Sequence, residues 1–174
     1  MGKNFTKIYF DPYLFFSIFL ISILGLFFLF SASNGDFDMV FKQFAYVVLG
    51  FILMIFVSQP DPDIFRRTST LFLIFAVFML GITYLFGPEI NGAQRWIRIG
   101  PFSFQSSELL KLALPIFLAN FLFDKKLPIQ SKEIIITLFI IFCSFLIVAR
   151  QPDLGTGLIV ALAGLFVLFL SGLS

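Results

Sequence analysis

The 174-residue chain is 59% hydrophobic and only 13% charged, with a mean hydropathy of +1.02, which leaves too little polar surface to cover a water-soluble domain of this size. Its net charge of +2 is too small to point to a nucleic-acid partner. With no histidine and a single cysteine, acid–base chemistry would fall to Asp, Glu, Lys or Tyr, and no disulfide closes within the chain.

A spanning helix needs about 20 mostly apolar residues. The first such run is residues 12–35, which carry no charge and are too long for a signal-peptide core, so a retained first span is expected after the lysine-bearing N-terminus. Residues 43–60 give a second span. Asp61-Pro62-Asp63 then reads as a solvated turn and helix start, and residues 68–88 give a third span. A basic, aromatic loop with glycines at Gly92 and Gly100 follows, and both glycines suit tight turns. It runs directly into residues 107–123, a fourth span holding Glu108, Lys111 and Pro115. Residues 134–149 and 154–174 complete the set, and Cys143 sits in the fifth run as a small apolar side chain. The fold class expected is all-α: a polytopic transmembrane bundle of six spans, one domain over residues 1–174, with the lipid bilayer as its solvent.

The connections alternate sides. Lys3, Lys7, Arg66, Arg67, Lys125, Lys126 and Lys132 fall on one side, and the smaller set of Lys42, Arg95, Arg98 and Arg150 on the other. The bias places the N-terminus in the cytoplasm, and with it the 91–106 loop and the Arg150 turn on the outer side.

Glu108 and Lys111 stand three apart and share a helical face. Ser106 or Ser107 is expected to cap this helix, which sets Glu108 in its first turn, where the positive end of the dipole favours a carboxylate. Charges inside an apolar span are costly. The pair either snorkels to the interface or lines a polar cavity. Pro115, one turn on, removes a backbone hydrogen bond and is expected to bend the helix. In the loop, Trp96 reads as an interface anchor, while Arg95 and Arg98 carry forked guanidinium donors that suit the phosphate of a lipid headgroup. Between the fifth and sixth runs, Asp153 reads either as an N-cap or as a group orienting Arg150 toward a phosphate. Gly155 and Gly157 suit close helix packing.

These residues carry a resemblance. Gly92-Ala93-Gln94-Arg95-Trp96, Phe104-Gln105, Ser107-Glu108 and Lys111, followed by Gln151-Pro152-Asp153-Leu154-Gly155-Thr156, resemble two separate signatures of the RodA/FtsW (SEDS) family of bacterial cell-wall synthesis. The run 165–174 is closer to the RodA branch of that family. Ser106 stands where the family usually has proline, and Arg98 where many members have a neutral or acidic residue.

What the resemblance implies is a peptidoglycan glycosyltransferase of the elongation machinery that governs cell shape, with relatives in cell division. It would sit in the bacterial cytoplasmic membrane and extend glycan strands from lipid II, an undecaprenyl-pyrophosphate-linked disaccharide peptide. The resemblance implies a substrate-binding set of Arg95, Lys111, Glu108, Arg150, Asp153, Gln105 and Arg98. It also implies a class B penicillin-binding protein as partner, and it allows a divalent Mg or Mn ion at the pyrophosphate, for which the sequence shows no ligand cluster. The family's general-base aspartate is expected beyond Ser174, so no catalytic residue is assigned within the chain. Family members are longer, so the sequence is expected to be the N-terminal portion and to polymerise nothing alone. A lipid II flippase and an inactive truncated product are the alternatives. The lack of charge along the first, second, third and sixth runs weighs mildly against a continuous polar path.

Overall fold

A computed structural model of the protein describes residues 11–89, 92–100, 102–125 and 129–172. Lys3, Lys7, Asn91, Lys126 and the last two residues of the sixth expected span lie outside them. The described chain is a set of six helices and one short hairpin, in two compact units. Five helices are long and apolar enough to cross a membrane; the sixth has 17 residues. The protein is a multi-pass membrane protein, because in lipid only a helix satisfies every backbone group within its own segment.

The first unit holds α1 (Pro12–Ala32) and α2 (Phe37–Ser58). Each starts on an aspartate cap. Asp11 Oδ1 accepts from the backbone N–H groups of Tyr13 and Leu14 at 2.8 and 3.2 Å, and Asp36 Oδ1 accepts from Asp38 and Met39 at 3.0 and 3.2 Å. Phe15 and Phe19 near the start of α1 meet Phe51 near the end of α2 edge-on, and Phe30 meets Phe37 at the other end. The two helices therefore run antiparallel. Neither helix has a buried residue within the described structure, as suits side chains facing lipid.

The second unit begins at α3 (Pro62–Phe86), with proline at its first position and an Asp63–Arg66 ion pair of 3.4 Å in its first turns. Its centre is α4 (Ser106–Phe123), which packs against α3, against α5 (Ser131–Ala149) and against α6 (Leu154–Leu170). Leu110, Leu114, Leu118 and Leu122 recur every fourth residue and, with Ala113, form its buried side. Arg66 at the start of α3 lies 4.5 Å over the Phe123 ring at the end of α4, so these two helices are antiparallel as well.

Helix contact in lipid gains nothing from expelling water and depends on close packing, which favours small residues at crossings. At Gly164 a Cβ would stand 2.7 Å from Ile141 Cγ1 and 3.3 Å from Leu118 Cδ1, and at Gly157 it would stand 3.2 Å from the Phe145 ring. Gly157 thus meets the packing expectation, whereas Gly155 has nothing within 4 Å and does not. Gly164 takes its place at the crossing of α4, α5 and α6.

Helix ends extend past the apolar runs. α2 begins at Phe37 rather than Gln43, and α3 at Pro62 rather than Thr68. Polar first turns pass through the interface before the lipid-facing run begins. The larger addition is in the loop. Trp96–Ile99 (β1) pairs antiparallel with Phe102–Gln105 (β2), Trp96 opposite Gln105 and Arg98 opposite Ser103. Gly100 opens the turn at φ +61°, and Gly92 begins the loop at φ +76°, both in the left-handed region.

A hairpin tied to a helix turn

The hairpin lies where α3 ends and α4 begins. Gly87, just past α3, admits it closely: a Cβ there would stand 3.2 Å from the Trp96 carbonyl oxygen and 2.4 Å from that of Thr83. Directly opposed residues on an antiparallel ladder share a face, so Trp96, Gln105, Arg98 and Ser103 make one polar–aromatic face.

That face is tied to the turn between α5 and α6. Gln105 Nε2 donates to Asp153 Oδ2 at 2.6 Å, and Asp153 Oδ1 accepts from the Thr156 N–H at 3.2 Å. Asp153 is therefore the N-cap of α6 and also a hairpin anchor. Its carboxylate is directed to Gln105 and not to Arg150, and among the described residues no ion pair joins Asp153 to Arg150. Arg95, immediately before β1, donates Nε–H to the Gln151 carbonyl at 2.8 Å and Nη2–H to the Pro152 carbonyl. A guanidinium can serve carbonyl oxygens as readily as phosphate oxygens, and here two of its donors are spent on the backbone. Gln151, 3% exposed, completes the assembly by donating Nε2–H to the Leu80 carbonyl of α3 at 3.2 Å. A single turn thus receives the hairpin twice and grips α3 once. Gln151 was absent from the candidate set. A Gln beside a Pro-Asp helix start, in a chain with little other polar surface, is the signal that points to it.

Glu108 and Lys111 form the expected ion pair across one helical turn, Lys111 Nζ to Glu108 Oε2 at 2.5 Å, with side chains 24% and 48% exposed. Pro115 sits inside α4, which continues through it. The proline has no N–H to give to the carbonyl four residues back, which is that of Lys111. The serine cap does not form. Ser106 and Ser107 lie inside the first turn of α4 with both hydroxyls buried and unbonded, and the N-cap position falls to Gln105, whose side chain serves Asp153 instead. The extended backbone of β2 runs to Gln105, so the first helical residue is Ser106 itself.

Arg98 stands exposed on the hairpin's polar face, and Arg150 caps α5. Among the described residues no group of three Cys, Asp or Glu side chains gathers that could hold a metal ion.

Residues 12–174 match the family model described as cell cycle protein, FtsW/RodA/SpoVE. Among curated proteins the chain is similar to the peptidoglycan glycosyltransferase MrdB of Escherichia coli K12, 36% identical over 97% of this chain and 45% of that protein. It is also similar to the peptidoglycan glycosyltransferase RodA of Treponema pallidum, 32% identical over 94% of this chain and 39% of that one. Among solved structures it superposes on the rod shape determining protein RodA of Thermus thermophilus with a TM-score of 0.87 at 27% identity, over 99% of this chain and 56% of that one. A chain of a peptidoglycan synthase complex, described as coordinating polymerization and crosslinking, gives 0.86 at 26% identity over 95% of this chain and 49% of that one. The chain spans about half the length of the curated relatives it matches. The match from the first helix onward, with both signatures meeting at one tied rim, makes this chain a member of the FtsW/RodA/SpoVE family of cell cycle proteins.

Proposed function

We propose that this chain supplies part of the lipid-binding rim of a peptidoglycan glycosyltransferase of the rod-shape machinery, acting on lipid II at the outer face of the bacterial cytoplasmic membrane. The observation that carries the reading is the Glu108–Lys111 pair in the first turns of the central helix α4, directly after a hairpin held by Arg95 and Gln105. The names of its relatives support the reaction.

In that reaction an acceptor sugar hydroxyl attacks the anomeric carbon of the donor, and a carboxylate removes its proton. Undecaprenyl pyrophosphate departs with growing negative charge, which nearby cations stabilise. Lys111 and Arg98 are the cations assigned to the pyrophosphate, and Glu108 holds Lys111 in place. Arg95, Gln105 and Asp153 set the hairpin on the α5–α6 turn and so position the others. No residue of this chain is assigned the role of general base.

Orientation follows from charge. Arg66, Arg67, Lys125 and Lys132 lie at the end of the second unit opposite the hairpin, which supports a cytoplasmic location for that end and for the N-terminus. The relative seen in a peptidoglycan synthase complex supports a class B penicillin-binding protein as partner.

The test uses the complete protein with purified lipid II. Glycan polymer that disappears when Lys111 is replaced by Met, with the fold retained, supports the reading. Lipid II translocation across vesicles without polymer overturns it in favour of a flippase.

A further inference from the structure

A cleft of about 250 Å3 opens between α3 and the end of α5, lined among others by Val77, Gly81 and Tyr84 on one side and by Ile147, Arg150 and Gln151 on the other. Val77, Gly81 and Tyr84 recur at helical spacing, so one face of α3 makes a wall. Gly81 has no atom within 4 Å of where a Cβ would stand, so its missing side chain deepens the cleft. The volume is below the roughly 300–1,000 Å3 of pockets that enclose a whole small molecule. It has room for a length of one hydrocarbon chain and not for a sugar-bearing head.

Arg150 lines the mouth of this cleft and is exposed. Its guanidinium has no hydrogen bond or ion pair among the described residues, and its neighbours are already committed. Gln151 donates to Leu80, and Asp153, the acid three residues on, is held by Gln105 and by the Thr156 N–H. A forked cation above an apolar slot at a helix end, beside a half-exposed tyrosine, is the complement of a phosphate carried on an acyl chain.

We propose that this cleft holds the upper part of one acyl chain of an anionic phospholipid of the surrounding bilayer, with its phosphate paired to Arg150. The cleft borders the tied rim through Gln151, and it concerns the membrane's own lipid rather than the substrate. Arg150 sets the preference for an anionic head, and the open face of Gly81 sets the room for the chain.

The experiment is native mass spectrometry of the purified protein released from bilayers of phosphatidylglycerol or phosphatidylcholine, comparing wild type with Arg150→Gln, Arg150→Lys and Gly81→Leu. Wild type should retain one more phosphatidylglycerol than phosphatidylcholine. Arg150→Gln should weaken that retention about fivefold, the effect of one basic side chain near a lipid surface, and Arg150→Lys should keep most of it. Gly81→Leu should lose the bound lipid of either kind while leaving the melting temperature unchanged or higher. Equal retention of the two lipids by wild type overturns the proposal and points to a further segment of the polypeptide, or a second copy, as the cover. So does unaltered retention in Arg150→Gln or in Gly81→Leu.

Discussion

Replacing Arg95 by alanine removes the Nε–H bond to the Gln151 carbonyl and the Nη2–H bond to the Pro152 carbonyl. Hydrogen bonds from a charged donor contribute about 1.5–3 kcal/mol each when well shielded. Arg95 is only half-buried, and water can reach carbonyls at a rim, so each bond falls below that range at about 1 kcal/mol and the pair together is worth about 2 kcal/mol. For a chain of this length that corresponds to a fall in melting temperature of roughly 4–8 °C. A double-mutant cycle with Gln105→Ala in detergent-solubilised protein sharpens the test. Arg95 and Gln105 approach the same turn from the same hairpin, so loss of either frees part of what the other holds. The two destabilisations should fall short of additivity by about 0.5–1 kcal/mol. Arg95→Lys should recover less than half, because an ammonium lacks the planar fork that spans two adjacent carbonyls. An Arg95→Ala protein that melts with the wild type, yet has lost lipid affinity, would refute the clamp and return Arg95 to direct phosphate contact.

Gly164→Ala should destabilise by about 1–3 kcal/mol, since its Cβ would stand 2.7 Å from Ile141 at a packed crossing, while Gly155→Ala, with open space around it, should be neutral or stabilising in the same thermal melt. Ser106→Ala and Ser107→Ala should each leave the melting temperature unchanged or raise it, because each removes a buried hydroxyl without a partner; a loss above about 1 kcal/mol would reveal a bonding role. Glu108→Gln and Lys111→Gln should each change stability by less than about 1 kcal/mol, the worth of a partly exposed pair. In a glycan-polymerisation assay read by gel separation of product chains, Lys111→Gln should lower polymer formation by about 10²-fold, the usual cost of removing a group that stabilises developing charge, and Glu108→Gln by less, since it acts only through Lys111.

The apolar runs were legible because lipid imposes a strong rule: a segment there must be helical, and its side chains must be apolar. Helix ends were less legible, since hydropathy marks where lipid starts and caps mark where the helix starts. Asp36 and Pro62 open α2 and α3 ahead of the last charges, Lys42 and Arg67, that bounded the apolar runs. The hairpin was readable in principle. Trp96-Ile97-Arg98-Ile99 and Phe102-Ser103-Phe104-Gln105 flank a glycine–proline pair and face each other in register, with polar opposite polar, which is a strand signal. The partner of Arg95 was not readable. A guanidinium advertises a need for oxygen, but nothing local tells a lipid phosphate from carbonyls 56 and 57 residues further along. Asp153 shows the same gap: its capping of α6 followed from local order, whereas its bond to Gln105 depended on where the hairpin folds back.

The geometry joins these pieces into one dependence. α4 is the helix most enclosed by its neighbours, and its first turns hold both members of the charge pair. No cap secures that end, because Gln105 is directed outward to Asp153 and the two serine hydroxyls are unbonded. The backbone leading into α4 is therefore held by the hairpin, and the hairpin by the Arg95 and Gln105 ties to the α5–α6 turn. A change at the turn reaches Lys111 through that chain of contacts without touching it. It follows that Asp153→Asn, which keeps the shape and removes the charge that strengthens the Gln105 bond, should disturb the Glu108–Lys111 pair more than its distance along the sequence suggests. A double-mutant cycle of Glu108→Gln and Lys111→Gln, run in the Asp153→Asn and parent backgrounds, would report this as a smaller coupling energy in Asp153→Asn. An unchanged coupling would mean that α4 holds its own first turn, and that the rim and the charge pair are independent.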